Sequence, residues 1–196
     1  MAQFLYQGHG SYRIVADSET VIYIDPYAGE GYDLPADIIL VTHNHGDHNQ
    51  VSMVAQKPDT VVIRATDALN KGVYSVFDIK EVKIEAVEAY NKNHNKNNCV
   101  GYVLTVDKIT LYAAGDTSMT KQMEELAQRN IDWAVLPIDG EYNMNASEAS
   151  LCAELISAKN TIPVHMKAGA LFDRKKAESF KAQGRVIIEP GETISL

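Results

Sequence analysis

The sequence predicts an α/β fold, a β-sheet core covered by helices. Three observations carry this. β-Branched and aromatic residues gather in short runs bounded by turn residues, at 4–7, 12–15, 21–24, 38–41, 61–64, 82–87, 100–106, 109–113, 133–137, 162–164, 185–188 and 193–196. Some runs are apolar at every position, as Ile38-Ile39-Leu40-Val41 is, which predicts strands covered on both faces. Helical patterns then interleave with the later strands.

Four helices are expected. Residues 117–129 carry Met119, Met123, Leu126 and Ala127 at mixed steps of three and four. Asn145-Ala146-Ser147-Glu148 reads as an N-cap with an acid three residues on, opening a helix through Leu151, Leu155 and Ile156. A third covers 174–182, with Gly184 as its stop, and a short one starts at His48. Residues 91–98 are polar throughout and rich in Asn, so they form a loop. With 196 residues, 45% of them hydrophobic, residues 1–196 are expected to form a single domain with a real core.

Charge excludes one class of partner. The net charge is −8, and the longest basic cluster, Arg174-Lys175-Lys176, reads as a solvated helix face, so no nucleic-acid surface is expected. No apolar stretch is long enough for a membrane span, and the first residues lack a signal-peptide pattern. Cys99 and Cys152 match no metal spacing and read as free thiols of a reducing compartment, which predicts a cytoplasmic protein.

The chemistry concentrates in Thr42-His43-Asn44-His45-Gly46-Asp47-His48, directly after the apolar run 38–41. In extended chain, residues two apart point the same way, so His43 and His45 grip one ion together. Gly46 lets the backbone turn, and Asp47 and His48 then face a second ion beside it. Imidazole and carboxylate suit Zn²⁺, Mn²⁺ or Fe²⁺.

This string resembles the H-x-H-x-D-H signature of the metallo-β-lactamase superfamily, and further strings follow in order along nearly the whole chain. The resemblance implies a four-layer αββα sandwich with the metal site at one edge, between the sheets. It implies seven metal ligands, namely His43, His45, Asp47, His48, His94, Asp116 and His165, with Asp116 bridging two divalent ions. Each candidate lies just past a predicted strand, where loops converge. Within the superfamily the chain is most similar to the small branch that includes ascorbate-6-phosphate lactonases. The strings that carry this are Gly8-His9-Gly10-Ser11, Ile24-Asp25-Pro26-Tyr27, Ala89-Tyr90-Asn91, Pro137-Ile138-Asp139-Gly140 and Met144 through Glu148-Ala149; the chain departs from the pattern at Asp139-Gly140, where relatives often have a glycine pair.

The implied activity is metal-dependent hydrolysis of a small ester-like substrate, a lactone or phosphorylated sugar derivative, by a hydroxide available near neutral pH. Asp47 is both a ligand and the candidate catalytic residue, holding the nucleophile's proton. Asp25, Thr42 and His9 are candidates to support the ligands from behind. Tyr27, Tyr142, Asn143 and Lys167 are candidates to border the substrate. Phosphodiester cleavage and metal binding without catalysis are the competing readings. Electron transfer at a di-iron site is disfavoured, since relatives with that activity resemble H-x-E-x-D-H and this chain has His45 at the second position.

Overall fold

A computed structural model describes residues 1–196. Five strands come first: β1 (Gln3–Gly8), β2 (Ser11–Val15), β3 (Val21–Ile24), β4 (Ala36–Val41) and β5 (Gln56–Arg64). A two-stranded hairpin follows, β6 (Leu69–Asn70) with β7 (Val73–Tyr74). Then come β8 (Val76–Ile79), β9 (Val82–Glu88), β10 (Val100–Val106), β11 (Ile109–Ala113), β12 (Trp133–Pro137), β13 (Asn160–Val164) and β14 (Thr193–Ser195). They form two six-stranded sheets, ordered β14-β1-β2-β3-β4-β5 and β13-β12-β11-β10-β9-β8. The helices are α1 (Ala65–Ala68), α2 (Met123–Leu126), α3 (Ala146–Ile156) and α4 (Arg174–Ser179). None is long and apolar enough to cross a membrane.

The apolar runs have both faces covered. In β4 all six residues are buried. Ile38 and Leu40 enter a 29-residue core shared by the two sheets. Ile39 and Val41 point the other way, into a cluster with Val51 and Val54. β12 does the same: Trp133 and Val135 face inward, while Ala134 and Leu136 pack outward with Met123, Cys152 and Phe180 of the helical layer. The outer layer of the first sheet is thin, a 3₁₀ turn at Val51–Met53 with partly buried Tyr32 and Leu34. Strands β3, β4 and β5 run parallel, as do β11, β12 and β13. The carboxyl ends of these two triplets carry most of the groups described below.

Several local expectations are corrected. Residues 117–120 are not helical; the helix begins at Met123 and ends in a 3₁₀ turn at Ala127–Arg129. Their polar groups are committed elsewhere: Ser118 N and Thr117 Oγ1 donate to Tyr90 O, and Met119 N to Glu148 Oε1. Glu148 therefore does not close a capping box, although Asn145 caps α3 through Ser147 N and Glu148 N. His48 lies in a turn rather than at a helix start. α4 ends at Ser179, because Phe180 turns extended and buries its ring. Residues 185–188 form one bridge, Thr161↔Arg185, instead of a strand. The next rung needs a donor from Pro163, which has no N–H.

Candidate metal centre

Asp116 lies at the middle of the site, four per cent exposed, three residues past β11. The Nε2 atoms of four histidines approach its carboxylate. His94 and His165 lie 3.3 and 3.4 Å from Oδ2, His43 lies 3.9 Å from it, and His48 lies 3.4 Å from Oδ1. These residues come from four segments, the loops after β4, β9, β11 and β13, the first supplying both His43 and His48. Asp116 has no capping role, since no helix follows it.

Each of these four imidazoles has a polar group behind it at Nδ1, hydrogen-bonded for His43, His48 and His94 and close by for His165. Thr42 Oγ1 donates to Asp25 Oδ2 at 2.6 Å and so accepts from His43 Nδ1 at 3.0 Å. His48 Nδ1 donates to the same Asp25 oxygen at 2.8 Å. His94 Nδ1 lies 2.9 Å from Asn91 Oδ1. His165 Nδ1 lies 3.1 Å from Asp139 Oδ2. Donation from Nδ1 orients a ring and, in its neutral form, leaves the Nε2 lone pair aimed inward. Asp25 and Thr42 were legible as supports. Asn91 and Asp139 were not, although Asp139 follows β12 as the other site residues follow their strands.

Two local backbone features make room for this. Asp25 and His165 adopt left-handed φ of 47° and 45°, and His9 has 57°. Such angles are uncommon outside glycine and persist only where the surroundings fix them. Here Asp25 Oδ1 accepts Thr42 N, and His165 N donates to His9 O. Gly10 is required by close approach: a Cβ there lies 2.8 Å from His48 Cε1.

Charge is finely divided. Burial pushes His43 down to about 2, with His48 adding to the effect, so it is a neutral donor. Burial also works against a charged His48, but Asp116 and Asp25 outweigh it and raise it to about 9. His165 is likewise raised by Asp116 and Asp139 against the cost of burial. Burial disfavours an ionised Asp116, and the surrounding histidines reverse this and hold it well below the usual carboxylate range.

The remaining candidates fall around this centre. His45 is exposed, its ring 4.5 Å from that of His43 and 4.9 Å from that of His94, and one nitrogen from each of the three converges within 4.8 Å. Asp47, His48, His165 and His9 make a second such group. Asp47 is partly exposed, with Oδ2 3.2 Å from His9 Nε2 and 3.9 Å from His165 Nε2. His9 is fully buried, with Nδ1 3.1 Å from Ala170 O. Tyr142 borders a small mouth of about 180 Å³ over Asp47 and Asp116. Tyr27 packs near His9, ring centres 5.3 Å apart. Asn143 is buried, donating to Asp139 Oδ2 and accepting from Asn91 Nδ2, so its side chain joins the two newly found supports. Lys167 is exposed and forms no ion pair. Cys99 and Cys152 are free, and burial raises Cys99 to about 11, so it is an inert thiol.

The residues fit metal ions. Nε2 of His43, His48 and His165 and Oδ1 of Asp116 are buried without a hydrogen-bond partner. Each such orphan costs about 1–3 kcal/mol unless something satisfies it. The 3.3–3.4 Å spacings from Asp116 to His94, His165 and His48 match the separation of neighbouring ligands about 2.0–2.1 Å from a tetrahedral ion.

Comparison with known proteins agrees. Residues 3–165 match the model of the beta-lactamase superfamily domain. A UPF0173 metal-dependent hydrolase from Pyrococcus furiosus is 31% identical over the full length of both chains. A crystal structure described as a metal-dependent hydrolase, from Parabacteroides distasonis, superposes with a TM-score of 0.78 at 31% identity, over 97% of this chain and 93% of that one. A metallo hydrolase from Ignicoccus hospitalis, 21% identical, shares the fold with a TM-score of 0.77 over 98% and 97% of the two chains.

Proposed function

The chain belongs to the metallo-β-lactamase superfamily, among the UPF0173 metal-dependent hydrolases, and from that premise we propose that it hydrolyses a small ester-like substrate with a pair of divalent ions, Zn²⁺ or Mn²⁺, with Fe²⁺ also suited to the donors. His43, His45 and His94 would hold one ion and Asp47, His48 and His165 the other, with Asp116 shared between them. The observation that carries this reading is the convergence of four Nε2 atoms on Asp116, each imidazole with its Nδ1 facing an acceptor.

A pair of divalent ions lowers the pKa of water toward neutrality and polarises a carbonyl or phosphoryl oxygen. The chain's own residues do the rest. Asp116 offsets part of the ions' positive charge between them. Asp47 faces the mouth, supported by His9 Nε2, and holds the nucleophile's proton. Asp25, Asn91 and Asp139 fix the imidazoles in direction, with Nε2 turned toward Asp116. Tyr142 borders the reacting group at the mouth. The similarity to the ascorbate-6-phosphate lactonase branch favours a lactone or phosphorylated sugar derivative. The two free thiols support a reducing, cytoplasmic setting.

The test is exhaustive chelation, followed by Zn²⁺ or Mn²⁺ return, against a panel of lactone, phosphodiester and thioester substrates. Activity is expected to vanish and come back, and to fall at acid pH as the histidines protonate. Turnover by protein shown to be metal-free overturns the reading.

A further inference from the structure

Beside the metal centre a polar cavity of about 670 Å³ runs from His43, His45 and His94 to Arg64 at the end of β5. That volume suits a small organic molecule rather than a bare ion. Its lining is unusual in two respects. The chain has 26 Asp and Glu, yet none lines this cavity. Only Val41, Ala65 and Cys99 are apolar, whereas Asn44, Asn49, Asn93, Asn95 and Asn98 offer amide donors and acceptors.

Arg64 is the cavity's one permanent cation. Arg13, Arg129 and Arg174 pair with Asp33, Glu85 and Glu189, and Arg185 donates to the carbonyls of Glu178 and Phe180. Arg64 has no such partner. Its guanidinium donates only to Asn49 Oδ1, and Asn49 Nδ2 in turn donates to Asn44 Oδ1. This chain of contacts holds the guanidinium while four of its five N–H donors stay free. A planar fork of that kind fits two oxygens of a phosphate or carboxylate.

We propose that Arg64 binds the anionic end of a hydroxyl-rich small molecule, a phosphate monoester or a carboxylate, whose other end reaches the metal centre. That this molecule is also the substrate rests on the hydrolase reading; that it binds does not. The amides hydrogen-bond its hydroxyl groups.

The experiment is calorimetric titration of metal-loaded protein with glucose 6-phosphate and, separately, with gluconate, in wild type and Arg64→Gln. At least one of these is expected to bind wild type, and Arg64→Gln to weaken it at least about tenfold; the probe with the larger loss identifies the anion. No binding of either by wild type at about 10 mM, or a loss smaller than tenfold, overturns the proposal. Should Arg64→Gln fail to fold, Arg64→Lys replaces it. Its ammonium lacks the two-pronged contact, so a loss of at least about threefold is expected, and a smaller one overturns the proposal. Failure of the hydrolase reading shows separately, as absence of turnover across the ester panel by the same metal-loaded sample.

Discussion

Asp139 Oδ2 lies 3.1 Å from His165 Nδ1, while Nε2 of the same ring lies 3.4 Å from Asp116. The ring is thus held between two carboxylates. Asp139→Asn can place an amide donor where the His165 N–H and Asn143 Nδ2 both need an acceptor. We expect affinity for the second metal equivalent to fall about 10–100-fold, with the first equivalent kept. Titration against a competing chelator measures this, and two wild-type equivalents in the variant refute it.

Asp116→Asn removes the negative charge that a bridge requires and keeps the side-chain shape. Metal content is expected to fall toward one ion per chain, and turnover by at least about 10²-fold, while the fold persists. Elemental analysis of the purified variant, beside its circular dichroism, decides the matter. Two tightly bound ions with normal turnover would reassign the residue.

Gly10→Ala places a methyl group 2.8 Å from His48 Cε1, a contact too short to persist beside a ring that is one per cent exposed. The imidazole must turn away from Asp25 or Asp116. A misplacement near 1 Å costs about 10² in rate, so kcat/KM is expected to drop on that scale. Unchanged kinetics in a folded Gly10→Ala protein would show that the turn yields instead.

Asp37 supplies a pH dependence away from the metal. Its buried carboxylate accepts from Lys57 at 2.6 Å, from Lys80, and from Val21 N at 2.8 Å. Burial alone would raise it, but these donors hold it at about 2, below the usual carboxylate range. A lowered carboxylate contributes stability that is present above its unfolded value and lost as pH falls through its folded one. The shift corresponds to about 2 kcal/mol. Denaturant melts of metal-free protein between pH 5 and 2 are expected to show that loss, and Asp37→Asn to flatten it. An equally steep decline in the variant would assign it to other carboxylates.

Local sequence exposed the features whose causes are local. The run Ile38–Val41 followed by His43, His45, Asp47 and His48 places the strand and the candidate ligands in adjacent residues, so the strand and the side-chain cluster past its end were both readable. Asn91 and Asp139 were not, because an acceptor behind an imidazole leaves no spacing pattern; only the fold brings Asp139 to His165. The 117–129 helix failed for a related reason. Its sequence favours helix, but Thr117, Ser118 and Met119 spend their polar groups on Tyr90 and Glu148. Pro163 shows the opposite case, a single residue whose missing donor ends a ladder with Arg185 that β-propensity alone had extended.

The ends of the parallel strands bear on how such a protein diversifies. Asp25, His43, Asp116, Asp139 and His165 follow strands of the two sheets, whereas Tyr142 and the five asparagines that line the cavity belong to connecting segments. Those asparagines do not have segments to themselves. Asn44 and Asn49 stand among the candidate ligands His43, His45 and His48, and Asn93, Asn95 and Asn98 stand beside the candidate ligand His94. A lineage that retunes its substrate through either loop retunes its metal affinity in the same step, so relatives that differ here are expected to differ in both traits together.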